Sequence, residues 1–195
     1  PARPAVRIPT PSQKVTSLFF GVAMTLFLVQ ILMGMFTAHY AVEGEGFYGI
    51  PLMQFLPYAA SRTWHLQLAL FWIATCWLAA GLYFAPRFGQ HEPKHQALGN
   101  TVLLGALAIV VVGSIVGTWQ AVTGVLDVKD SFLWGHQGYE YIELGRVWQL
   151  LLIGSMVFWL WLLYRAFKPA LKQEKTPTGL SHFFLYSAIT IPLFY

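Results

Sequence analysis

The chain has 195 residues, of which 56% are hydrophobic, 16% aromatic and only 10% charged, and its mean hydropathy is +0.56. Water-soluble domains carry about 25% charged residues, so an ordinary soluble globule is excluded. A formal net charge of +4 on so apolar a chain also excludes a disordered tail or a nucleic-acid-binding domain, and the lipid bilayer is the expected solvent and partner.

Residues 1–14 contain Pro1, Arg3, Pro4, Arg7, Pro9 and Pro11 without signal-peptide order or a helical pattern, and read as a cytoplasmic linker. Uncharged stretches follow at 15–42, 63–86 and 95–126, each longer than the ~20 residues that a helix needs to cross a bilayer. A fourth, 147–164, is just long enough, and a fifth starts near Thr178 and is still apolar at Tyr195. Continuous apolar runs favour helices over the alternating pattern of barrel strands. The expected fold is therefore an all-α integral membrane domain over 15–195, with four complete transmembrane helices and a truncated fifth, at about 17–38, 64–86, 101–123, 147–164 and 180–195. The unusual start and apolar finish lead us to expect a piece of a larger protein.

Connecting segments alternate sides. One side collects Arg3, Arg7, Lys14, Arg87, Lys94, Arg165, Lys168, Lys172 and Lys175, whereas the other has Arg62, Lys129 and Arg146, which places the first side in the cytoplasm. The outer connections, 41–62 and 127–146, hold most of the acids and most of the polar chemistry. Cys76 sits inside an apolar run and reads as a small packed hydrophobe.

Two groups of residues invite a chemical reading. His65, at the outer end of the second helix in Arg62-Thr63-Trp64-His65-Leu66-Gln67, needs a partner for its ring nitrogens in an apolar setting. A haem iron and a helix-to-helix hydrogen bond both satisfy it, and Arg62, one turn earlier, is placed to pair with a haem propionate. The second group precedes the fourth span: Gly135-His136-Gln137-Gly138-Tyr139-Glu140-Tyr141-Ile142-Glu143-Leu144-Gly145-Arg146. If a helix begins near His136, then His136 and Glu140 share a face at i and i+4 and together can take protons from a hydroquinone; a solvated interfacial turn with a salt link is the other reading.

Other strings have plainer explanations. His91-Glu92-Pro93-Lys94-His95 matches a zinc-protease string, but Pro93 breaks the helix that the chemistry requires, so we read a polar connector. His39, Tyr40 and His182 read as interfacial residues, and Phe158, Trp159, Trp161 and Tyr164 as lipid-facing or belt packing. Gly105, Gly113 and Gly117, with Ala106 and Ser114, suggest a close-packing stripe on the third span. Arg165 to Lys175 reads as a basic loop against anionic headgroups.

The string from Arg62 to Thr75 and the string from Gly135 to Arg146 resemble the second core helix and the quinol-side segment of quinol-dependent nitric oxide reductase, catalytic subunit, in the haem-copper oxidase superfamily. The resemblance runs from about Ser12 to Tyr195. It implies that His65 is an axial ligand of the low-spin haem b, so that its metal is the haem iron, and that Arg62 belongs to the propionate network. His136 and Glu140 would line the quinol pocket, with Leu144 as an apolar wall against the quinone ring. Glu143 would lie near the propionates, where some relatives hold calcium. The catalytic haem b3 and the non-haem iron of the family are carried by later helices, so this chain would be the electron-accepting segment of an enzyme that reduces nitric oxide to nitrous oxide in denitrifying respiration. Its expected partners are quinol, lipid and the remainder of the same polypeptide or enzyme, in a bacterial inner membrane with the haem side toward the periplasm. A small haem- or quinone-binding subunit without its own catalytic centre is the competing expectation.

Overall fold

The computed structural model describes residues 9–44, 48–136, 143–174 and 179–193. Six α-helices account for nearly all of them: α1 (Pro11–Glu43), α2 (Tyr58–Phe88), α3 (Gln96–Val122), α4 (Val128–Trp134), α5 (Arg146–Gln173) and α6 (Leu180–Leu193). Helices α1, α2, α3 and α5 are each long and apolar enough to cross a membrane, and α6 is apolar but shorter. The chain is an all-α membrane protein.

The helices overrun the apolar windows at both ends. Helix α1 starts at Pro11, inside the stretch that composition marks as a linker. Thr10 explains why: its hydroxyl accepts from the Gln13 amide at 3.4 Å, the Gln13 side chain accepts from the Thr10 amide at 3.0 Å, and Pro11 fills the first turn where no N–H is needed. Helix α5 continues to Gln173, so Arg165, Lys168 and Lys172 lie on helix rather than loop. A charged residue ends a hydropathy window but not a helix, because Lys and Arg are good helix formers whose stems lie along apolar surface. The 127–146 connection contains a helix of its own, α4, capped by Asp127, whose Oδ1 accepts from the Asp130 amide at 2.8 Å.

Helix α2 is the hub, packed against α1, α3 and α5. Its Leu68, Phe71, Leu78 and Leu82 are buried with Leu103, Leu107 and Val110 of α3, Leu152, Leu162 and Phe167 of α5 and Phe19 of α1. Lipid tails are as apolar as these side chains, so close packing and interhelical hydrogen bonds must hold the bundle. Trp64 donates to the Ile115 carbonyl at 3.0 Å, Gln96 to the Leu162 carbonyl at 3.2 Å, and Asn100 to the Thr16 hydroxyl at 3.1 Å. Trp159 belongs to this interior: it is 1% exposed and donates to the Leu78 carbonyl at 3.2 Å, whereas Trp161 and Tyr164 face outward. Leu18, Met24, Leu28, Ile109 and Val157 also face outward, as lipid-facing residues do. The proposed stripe on α3 divides, since Gly113 and Gly117 back onto Trp148 and Trp134 while Gly105 faces open space.

Candidate functional site

Pro57 opens α2, and its first turns carry Arg62, Thr63 and His65 at one end of the bundle. The half-buried ring of His65 lies against α1. Its Nδ1 is 2.9 Å from the main-chain carbonyl of Gln30 and 3.0 Å from that residue's amide nitrogen, and its Nε2 is 3.3 Å from the same amide. The arrangement in which every proton has an acceptor has Nδ1–H donating to the carbonyl and the Gln30 amide donating to the lone pair of Nε2. The ring reaches α1 because residue 34 is glycine: a Cβ there would lie 2.7 Å from His65 Cε1 and 2.9 Å from Nδ1.

Glu143 closes over the same end of α2. One of its oxygens accepts from the Thr63 hydroxyl at 2.7 Å, and the other is 3.7 Å from the Arg62 guanidinium. Arg62 is 49% exposed, so the ion pair itself contributes little stability. Its geometry is nevertheless specific, because Glu143 has φ of 55°, a left-handed conformation that costs a non-glycine residue about 1–2 kcal/mol. Strain of this kind collects where a side chain must be aimed.

His136 stands apart from any helix. Helix α5 begins at Arg146, and the i, i+4 relation expected between His136 and Glu140 runs through residues outside the described ones. Gly145 starts α5 with extended dihedrals. His136 lines a cavity of about 340 Å³ between the end of α3 and α4, with Asp127, Ser131 and Phe132. Its Nδ1 is buried and has no hydrogen-bond partner among the described residues. Glu140, the second expected quinol contact, lies outside the described residues. Leu144, the expected apolar wall, is fully buried in the helical core, and its carbonyl accepts from Gln149 at 3.2 Å.

Among the described residues the opposite end of the bundle holds no comparable constellation. His91 to His95 form a connector in which Glu92 accepts from the Ser12 amide at 2.9 Å, and His95 takes a left-handed conformation before α3. His182 bonds Glu174 at 2.8 Å, and at the His65 end His39 bonds Glu43 at 3.0 Å while Tyr40 donates to the Leu56 carbonyl at 2.6 Å. Among the described residues no three His, Cys, Asp or Glu side chains gather as a metal site.

The family described as Cytochrome C and Quinol oxidase polypeptide I matches residues 14–195. The chain belongs to this family. A comparison with curated proteins found no match. Cytochrome c and quinol oxidase subunits of this kind are haem-bearing respiratory oxidoreductases of membranes. The donor chemistry at His65 suits a haem iron. A ligating imidazole normally gives its second N–H to a carbonyl or carboxylate, and Nδ1 beside the Gln30 carbonyl has that partner already. Only a mobile side-chain amide occupies the other nitrogen. Sequence reasoning missed Gln30 and Gly34, whose roles depend on which turn of α1 faces His65. It missed Asp127 and Phe132 as well, although Asp127 and Asp130 at helix-cap spacing were a legible signal for α4.

Proposed function

We propose that this chain is the electron-accepting segment of a quinol-dependent nitric oxide reductase, with His65 as an axial ligand of low-spin haem b. The observation that carries the reading is the seat of His65, with Nδ1 tied to the Gln30 carbonyl and the ring backed by Gly34. The carbonyl fixes the tautomer and makes Nε2 the basic nitrogen. When bound, the haem would supply a one-electron relay, with His65 as the residue that would hold it.

The residues around it have separate tasks. Arg62 presents fixed donors at the end of α2, suited to a propionate carboxylate, and Glu143 with Thr63 steers it. Because Glu143 already engages a cation and a hydroxyl donor, we assign it to the propionate network rather than to calcium. His136 is proposed to line the quinol site at the end of α4, with Glu140 as a further contact from the resemblance, whereas the fully buried Leu144 does not line the cavity there. The excess of Lys and Arg at the other end supports a periplasmic face of a bacterial inner membrane for this end.

The test is spectroscopic. In the full-length protein, His65→Ala should abolish the low-spin haem b spectrum; an unchanged spectrum would eliminate the ligand assignment. Purified enzyme supplied with quinol should convert nitric oxide to nitrous oxide, and conversion of oxygen alone would place the chain with the oxidases.

A further inference from the structure

We infer that the basic end of the seam between α3 and α5 holds one anionic phospholipid, its phosphate on Arg165 and Lys168 and an acyl chain against Trp161, Phe158 and Leu98. The site lies at the end of the bundle away from His65 and is independent of the haem and quinol readings. Helices α3 and α5 run antiparallel, since Lys94 meets Arg165 and Gly99 meets Leu162. Gly99 faces Leu162 so closely that a Cβ at 99 would lie 2.5 Å from Leu162 Cδ2. In antiparallel helices, residues at the same offset from a facing pair lie on the same side of the seam, which puts Leu98 and Trp161 side by side. Both are open, Leu98 at 61% and Trp161 at 48%, and Phe158 stacks on Trp161 with ring centroids 5.7 Å apart. Together they make an apolar shelf.

Above the shelf stands a guanidinium that is already held in place. Arg165 donates to the Lys94 carbonyl at 2.7 Å, tying the two helices together, and lies 4.4 Å from the Trp161 ring centroid. The rest of its planar donor fork is left for a ligand and matches two phosphate oxygens. Lys168 and Lys172 follow at i+3 and i+7 on the same stripe of α5, both exposed, with Lys94 across the seam. Among the described residues no carboxylate pairs with any of these four. Glu174 lies half a turn round α5 from Arg165 and is occupied by Ser181 and His182, and Glu92 accepts from Ser12. At 1.5 Å per residue, Arg165 stands about 27 Å along α5 from Val147, at the boundary of a ~30 Å hydrocarbon layer, where lipid phosphates lie. A soluble anion would use the charges without the shelf, and a neutral lipid the shelf without the charges. Unpaired cations also disfavour a zwitterionic lipid, whose ammonium they would repel, so a lipid of net negative charge fits both halves of the site.

The experiment uses the full-length enzyme in phosphatidylcholine nanodiscs carrying spin-labelled phosphatidylglycerol or spin-labelled phosphatidylcholine. The motionally restricted fraction of each label gives the preference for phosphatidylglycerol, and thermal unfolding shows that each variant is folded. Lys168→Gln, which disturbs no hydrogen bond or ion pair among the described residues, should lower that preference about fivefold, the value of one basic residue at a membrane surface. Arg165→Gln should lower it at least as much, and Arg165→Lys, which keeps the charge but not the fork, should fall between Arg165→Gln and the unaltered protein. Lys14→Gln removes a basic residue of the same end on α1, whose packing partners are α2 and α3, and should leave the preference unchanged. Equal losses from Lys14→Gln and Lys168→Gln would mean diffuse attraction to a basic surface and would overturn the inference, as would an unchanged preference in both Arg165→Gln and Lys168→Gln. A large excess of inorganic phosphate should not release the restricted phosphatidylglycerol; release would make this a small-anion site and overturn the lipid assignment.

Discussion

At the scale of single residues, the chain orients key polar side chains through defined hydrogen-bond partners. His65 is oriented by a main-chain carbonyl, which cannot rotate away as a side chain can. Glu174, the residue that ends α5, shows the same logic at the opposite end. Hydrogen bonds from Ser181, hydroxyl and then amide, and from the His182 ring lower its carboxyl from 4.5 to about 2. A carboxyl depressed on folding contributes stability that is fully present above its unfolded value and is lost as pH falls through the folded one. The α5–α6 connection should thus loosen as pH drops from about 4.5 to about 2, read as faster amide exchange at Ser181 and His182. Glu174→Gln should exchange fast throughout and show no such transition. Retained pH dependence in that variant would mean that another group controls the connection.

At the scale of elements, α4 determines what the outer connection can do. It is only seven residues long, and few isolated helices of that length persist in water, so its position depends on the neighbours that grip it. Gly117 on α3 lets the main chain at Trp134 approach so closely that any added Cβ would meet the Trp134 carbonyl oxygen. Trp148 of α5 completes the grip by donating to that carbonyl at 2.7 Å. Gly117→Ala should push α4 away and destabilise the bundle by about 1–3 kcal/mol, the usual range for overpacking. Thermal unfolding in detergent measures the loss. Gly105→Ala, on the same helix but facing open space, should be neutral or slightly stabilising, and equal effects from the two substitutions would contradict the packing described here.

At the scale of the whole molecule, the two ends of the bundle differ in charge and in chemistry. Lys14, Arg87, Lys94, Arg165, Lys168 and Lys172 lie at the end away from His65, where Arg165 donates to the Lys94 carbonyl at 2.7 Å and its guanidinium stands 4.4 Å from the Trp161 ring centroid. Arg62, Lys129 and Arg146 lie at the His65 end. Basic connections stay on the cytoplasmic side, so the His65 end, with the proposed haem and quinol contacts, should face outward. In a Cys76→Ser background, Val125→Cys should react with a membrane-impermeant maleimide in spheroplasts, and Lys168→Cys only after lysis. The reverse pattern would invert the orientation and put the His65 end on the cytoplasmic side.

Hydropathy and charge were sufficient to read the number of spanning helices, their order, the all-α class and the position of His65 near a helix end, because in lipid a long apolar run has few ways to satisfy its backbone. Helix ends were less legible: Arg165 to Gln173 is helix despite its charge, and the Thr10–Gln13 capping box starts α1 within a Pro-rich stretch. What only the tertiary structure decided is which side chains meet. Gln30 and His65 are joined across 35 residues by the antiparallel packing of α1 on α2, and Thr63 and Glu143 across 80 because α5 starts beside the first turns of α2, neither by any local pattern. A short spacing can be read from a periodicity, but contacts between distant segments depend on rotation and depth, which glycines such as Gly34 and Gly117 set through close approach.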